Sequence, residues 1–246
     1  MISCENLEWN RSRYHNGICF FVERTRGMDT EFIVEYIPLY VEAAKLTIGI
    51  GLVGIALSLV LGLLIALIQY FEIPILRKAA AVYIEFSRNT PLLVQLFFLY
   101  FGLPKAGIRI SSEGCAIIGL CFLGGSYMAE AFRSGIQSVE KGQEESALAL
   151  GLKKSQVIGY IILPQALSVS IPALCANMIF LIKETSVFSV VALADLMYVA
   201  KDLIGLYYKT DEALLMLVIA YLILLLPISI LAAVLERGLR HAGFGN

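Results

Sequence analysis

The chain has 246 residues, of which 59% are hydrophobic and only 16% charged, and a formal net charge of -1. That composition excludes an ordinary soluble domain, because several runs reach the ~20 apolar residues a helix needs to cross ~30 Å of hydrocarbon. The balanced charge gives no reason to expect a nucleic-acid partner. The five cysteines show no CxxC spacing, and His15 and His241 lie near the two ends, so no metal or histidine-based catalytic centre is expected. Nothing matches GxxxxGK[ST], so no nucleotide cofactor is expected in this chain.

Residues 1–36 are polar and mixed in charge, and the short run 18–22 lacks the pattern of a signal peptide. The first predicted span covers about 43–68. Within it Gly54, Ser58, Gly62 and Ala66 recur every four residues, a stripe of small side chains that lets a second membrane helix approach closely. A polar turn follows at 69–78.

The second span, about 79–103, is interrupted by Ser87-Arg88-Asn89-Thr90-Pro91. One reading is a broken element, with Thr90 as N-cap and Pro91 in the first position of a fresh helix, whose free N–H groups could receive a carboxylate. Gln95 would then lie one turn further in. The other reading is a helix end at the cytoplasmic interface, with Arg88 reaching the headgroups. The third span, about 116–132, carries Tyr127 and Glu130 and ends at Arg133; Glu130 and Arg133, three apart, could pair on one face.

The longest polar interval after residue 115 is 135–166. Gly142 and Gly151 bracket a run of helix formers at 143–150, since a glycine just past such a run stops a helix. Ser155 is expected to cap a second short helix that Pro164 ends. The small residues Ser146, Ala147, Ala149 and Gly151 would admit a partner surface.

The fourth span, about 171–194, places Lys183 and Glu184 at its middle, where ionisable groups cost several kcal/mol unless they face protein or a watery cavity. Neighbours on a helix point ~100° apart, so the two cannot simply neutralise each other. Asn177 and Glu184 share a face that could line a path for a polar solute; a bracing polar network is the alternative. Residues 195–212 carry Tyr198, Tyr207 and Tyr208, suited to an interfacial belt, before a fifth span at about 213–235. With 135–166 inside, Arg77, Lys78, Arg88, Arg133, Lys141, Lys153, Lys154, Arg237 and Arg240 fall on the cytoplasmic side. Only Lys105, Arg109, Lys201 and Lys209 fall in outside loops between spans. The bias fits an amino terminus outside and a carboxyl terminus in the cytoplasm.

Four stretches carry a family resemblance: Gly142-Gln143 with Glu145-Ser146-Ala147, Ala149, Gly151 and then Leu163-Pro164-Gln165-Ala166; Arg88 with Thr90-Pro91-Leu92; Tyr127, Glu130 and Arg133; and Asn177 with Lys183-Glu184-Thr185-Ser186. Together they resemble the permease subunits of bacterial polar amino acid importers driven by an ATP-binding cassette. The first matches their coupling ("EAA") loop, with Ser146 where the family has alanine. The resemblance covers about residues 35–238 and implies an all-α integral membrane protein with five transmembrane helices, the type I importer (MetI-like) permease fold, across 37–238 in the bacterial cytoplasmic (inner) membrane. It implies no enzyme activity in this chain, with ATP and Mg bound by partner ATPase subunits on 135–166. It also implies a second permease, identical or sister, and an extracytoplasmic amino-acid-binding protein. Family permeases begin near Met28, which makes residues 1–27 an expected misassigned start. Glu184, Asn177, Thr90, Gln95, Glu130 and Arg88 are the candidate contacts of a zwitterionic amino acid, whose identity stays open. An intramembrane enzyme lacks any paired catalytic set in the spans. A carrier working alone would favour inverted repeats that five spans cannot form.

Overall fold

The computed structural model describes residues 28–243, and the expected start at Met28 concerns residues 1–27, which lie outside them. Among the described residues the chain is helical with no strand. The first helix, α1, runs Thr30–Tyr70, starting thirteen residues before the apolar run from which a span at 43–68 is expected. Its early start has a local cause: Asp29 accepts the Phe32 N–H as an N-cap. At ~1.5 Å per residue α1 rises about 60 Å, more than the ~45 Å of a whole bilayer, so its first turns project beyond the membrane or the helix tilts.

The stripe of small residues on α1 packs against α4, Ser112–Ser138, the helix of the third span. Gly54 lies on Leu120, and a Cβ added at Gly62 would stand 2.5 Å from the Met128 Cβ and 2.8 Å from the Ala129 nitrogen. Between them the Ser58 hydroxyl bonds the Gly54 carbonyl at 2.7 Å and approaches the Leu120 carbonyl at 3.3 Å. The two backbones therefore touch, and dispersion contacts rather than water exclusion hold them together.

The second span is broken. Helix α2, Pro74–Arg88, gives way to Asn89-Thr90-Pro91 and then to α3, Leu92–Phe97, which widens to a π turn at Phe98–Gly102 and tightens to a 3₁₀ turn at Leu103–Ala106. Tyr83 and Ser87 of α2 both donate to the Phe122 carbonyl of α4, at 2.6 and 2.8 Å. They place the break opposite the middle of α4. This selects the broken element over the interfacial helix end, and Arg88 leaves the group of cytoplasmic cations without reversing the charge bias.

Helix α5, Lys141–Ala149, fills the loop after α4. It stops at Gly151, whose φ of +84° suits glycine. The Gly151 N–H bonds the Leu148 carbonyl and the Leu152 N–H bonds the Ala147 carbonyl, which closes a Schellman turn. The second short helix is different from the expectation. Helix α6, Lys154–Val157, begins with the Lys153 N–H on Gln156 Oε1 rather than with a Ser155 cap. It then runs through a π turn, Ile158–Ile162, into α7, Leu163–Glu184. Pro164 does not end it, because proline near the start of α7 is tolerated and the wider π turn relieves its ring against the turn before.

After Glu184 the helix tightens to a 3₁₀ segment, Thr185–Val191, and Ala192 turns left-handed. Lys183 and Glu184 thus sit where α-helix ends, not mid-helix. Helix α8, Leu196–Tyr207, follows, capped by Asp195, and α9 runs Thr210–Gly243. Among the described residues four helices are long and apolar enough to span a membrane, and the shorter apolar Leu92–Ala106 forms a further, broken element with α2.

Candidate functional site

Two helix breaks face each other in the bundle. The Arg88–Pro91 break and the α7-to-3₁₀ transition at Glu184 close a pocket of about 230 Å³. Its lining brings Arg88, Thr90 and Glu184 together with Pro91, Leu92, Leu93, Leu123, Tyr127, Phe180 and Val187. It holds one cation, one anion, the hydroxyl-bearing Thr90 and Tyr127, and otherwise apolar walls. Arg88 lies over the Tyr127 ring at 5.1 Å, a cation–π contact that fixes the guanidinium. Its Nη1 is 3.7 Å from Glu130 Oε2.

Three of the six expected contacts are placed otherwise. Gln95 turns into the bundle, its amide donating to the Ser87 and Thr90 carbonyls at 3.2 and 3.0 Å, so it braces the break instead of lining the pocket. Asn177 donates to the Tyr127 carbonyl at 3.1 Å, across the α4–α7 seam and away from the pocket lining. Glu130 is gripped by Arg133, with Nε at 3.0 Å and Nη2 at 2.6 Å, which is the pairing that three-residue spacing allows. Thr90 lines the pocket but is not the N-cap of α3. Pro91 occupies that position, and the Thr90 hydroxyl donates back to the Phe86 carbonyl at 2.7 Å. With only six residues before the π turn, α3 offers a shorter dipole than the sequence suggested.

A second, larger cavity of about 780 Å³ opens at the opposite end of α2 and α4. Glu72, Arg77, Glu85, Glu130, Arg133 and Glu144 are among its polar lining, and its far rim is formed by the turn after α1 and the start of the 135–166 loop.

The loop at 135–166 forms a surface of its own. Tyr70 of α1 donates to Glu144 at 2.9 Å, and Gln165 of α7 donates to Gln143 at 2.6 Å, which fastens α5 to two helices. Gly142, Gln143, Glu145, Ser146, Ala149 and Gly151 are exposed; Leu163 is half-buried and Pro164 exposed. Ala147 is the exception, buried against Val157, Ile158, Ile162 and Ala166, so it seats α5 on its own chain. Leu150 and Tyr160, 84% and 77% exposed, and Leu148 are residues the sequence reading passed over. The available signal was an apolar side chain in an otherwise polar loop. Among the described residues no cluster of three His, Cys, Asp or Glu could hold a metal.

A helical bundle with a polar pocket between two helix breaks defines a membrane-spanning transport subunit. The sequence profile of the family described as binding-protein-dependent transport system inner membrane component matches residues 58–241, and the chain belongs to that family. It is similar to the glutamine transport system permease protein of Escherichia coli K12, 37% identical over 206 residues, 83% of this chain and 94% of that one. It is 35% identical over 215 residues to a probable glutamine transporter permease of Bacillus subtilis 168, covering 87% of this chain and 100% of the other. Among solved structures, an amino acid ABC transporter with histidines aligns at a TM-score of 0.80 and 32% identity, over 86% of this chain and 99% of that one. The inward-facing methionine transporter MetNI aligns at 0.69 and 19% identity, over 83% and 98% of the two chains, and speaks to fold alone. The chain is therefore the permease subunit of an amino acid importer of the cytoplasmic membrane, with the MetI-like fold. It is a transporter subunit and no enzyme, since ATP hydrolysis lies in a separate ATPase subunit.

Proposed function

We propose that this subunit carries a polar amino acid, as its zwitterion, through the pocket between Arg88 and Glu184. The observation that carries the reading is that one cation and one anion line the same small pocket at two helix breaks. Arg88 suits the carboxylate, because a planar guanidinium held over Tyr127 presents a fork of donors. Glu184 suits the ammonium. Both charges are then used by the α-groups, which leaves Thr90 and the apolar walls for the side chain and favours an uncharged one. The names of the glutamine relatives agree with this.

Transport proceeds by alternating access in a dimer of permeases, identical or sister. An extracytoplasmic binding protein delivers the amino acid, and two ATPase subunits dock on the 135–166 loops. Exposed Gln143, Glu145, Ser146, Ala149 and Leu150 form the docking surface, and the ties to Tyr70 and Gln165 carry its movement into α1 and α7. The test is ATPase activity of the reconstituted complex with its binding protein and a panel of amino acids, beside a Glu145→Lys, Gly151→Asp double variant. Stimulation by one uncharged amino acid, absent in the variant, is the expected result. Undiminished stimulation in the variant would remove 135–166 from the coupling path.

A further inference from the structure

We propose that the Arg88–Glu130 ion pair is the inner gate of this permease, a plug between the substrate pocket and the cytoplasmic cavity; the inference rests on the pocket reading above. The two cavities are lined by consecutive stretches of the same two helices. Arg88 and Tyr127 line the pocket, while Ile84, Glu85, Glu130 and Arg133, one turn nearer the cytoplasm on α2 and α4, line the larger cavity. The pair joins a residue of one lining to a residue of the other, Arg88 to Glu130, which sets it between the pocket and the larger cavity.

The geometry is asymmetric, and the asymmetry decides which side moves. Glu130 accepts two bonds from Arg133, at 3.0 and 2.6 Å, whereas its contact with Arg88 is 3.7 Å. The two bonds from Arg133 satisfy the Glu130 charge without Arg88. Arg88 can therefore swing away without leaving a bare, partly buried carboxylate. Arg88 is likewise provided for, since the Tyr127 face and a substrate carboxylate remain on its pocket side. A bound carboxylate competes with Glu130 for the same guanidinium, so occupancy of the pocket loosens the plug beneath it. Arg133 is a positioning residue: it holds Glu130 at the seam and reaches Gln137 at 3.0 Å, one turn further towards α5.

The test is thiol accessibility in the full complex with its ATPase and second permease, in membrane vesicles of known sidedness. The five native cysteines are replaced, and Val187→Cys supplies a probe in the pocket wall. A membrane-impermeant thiol reagent is added from the cytoplasmic side without nucleotide. Glu130→Gln should raise the labelling rate about tenfold, the size of a typical two-state coupling, and Glu130→Asp should leave it near the parent value. A Glu130→Gln complex that assembles and labels at the parent rate, whatever its thermal stability, makes the pair a brace and overturns the gate. If Glu130→Gln does not assemble, Arg88→Gln takes its place: it removes the guanidinium that faces Glu130 and leaves Glu130 held by Arg133. The same increase is expected, and the same unchanged rate would overturn the proposal. Added amino acid should slow labelling in the parent. Failure to protect in every variant counts against the pocket reading, while the comparison between Glu130 variants still decides the gate.

Discussion

The α1–α4 seam and the pocket wall solve opposite problems with neighbouring stretches of chain. Along the seam, two unbroken helices meet through Gly54, Ser58 and Gly62, with backbone against backbone. At the pocket, α2 stops for three residues and α7 tightens into a 3₁₀ segment, which brings Arg88 and Glu184 into one lining. Unsatisfied backbone is tolerated at membrane depth only where it is buried in protein or lines a cavity. The irregular half is thus affordable because the regular half fixes its walls, and function sits where regularity ends.

The largest expected effect breaks the rigid side. Gly62→Leu drives a side chain into Met128 and the Ala129 backbone, which should cost about 3 kcal/mol or more and abolish recovery of assembled complex on size exclusion. A normal yield would mean the seam can part. Next comes the irregular side. Glu184→Gln removes the anion of the pocket, and loss of a charged hydrogen bond of ~2–3 kcal/mol should cut amino acid uptake by roughly 30-fold to 100-fold in complex that still assembles. If instead assembly falls and the survivors keep full substrate affinity, Glu184 is a brace.

Gly151→Val tests the loop that lies outside both regions. A β-branched residue at φ +84° should cost on the order of 1–2 kcal/mol in the Schellman turn and weaken binding of the ATPase subunit, read by co-purification. The smallest effect is at the start of α1. The Lys209 ammonium, 2.9 Å away, holds the Asp29 carboxyl below the usual range. A lowered carboxyl pKa stabilises the folded state above the unfolded value of about 4, and that contribution is lost as pH falls through the folded value. Asp29→Asn should therefore lower Tm slightly at pH 7, and the difference should vanish as pH falls through the folded value; a shift that does not change with pH would show that the charge of Asp29 is not its cause.

The spans were legible because each is an apolar run, and the seam because its small residues keep a fixed four-residue spacing that survives without knowledge of the partner. Thr90-Pro91 marked an interruption of the second span but left a broken element and an interfacial helix end both open, and Gly151 marked the end of α5. What could not be read depends on contacts between distant segments. Gln95 and Asn177 have the chemistry of pocket residues, yet carbonyls at Ser87, Thr90 and Tyr127 claim them, and no local pattern announces that. Pro164 has the look of a stop signal, but a π turn ahead of it absorbs the ring, and α6 and α7 form one continuous rod. Ala147 shares its composition with the exposed face of α5 and is buried only because the chain doubles back through Leu152.

The amide of Gln95 has a consequence beyond its own bonds. It spans the Arg88–Pro91 interruption, donating to the Ser87 carbonyl at the end of one segment and to the Thr90 carbonyl at the start of the next. Tyr83 and Ser87 meanwhile rivet α2 to Phe122 just before the interruption. The kink is therefore a set elbow rather than a swivel: its few residues have lost their torsional freedom to a splint. Any change of access must carry the elbow as one solid piece or be made by side chains that project from it.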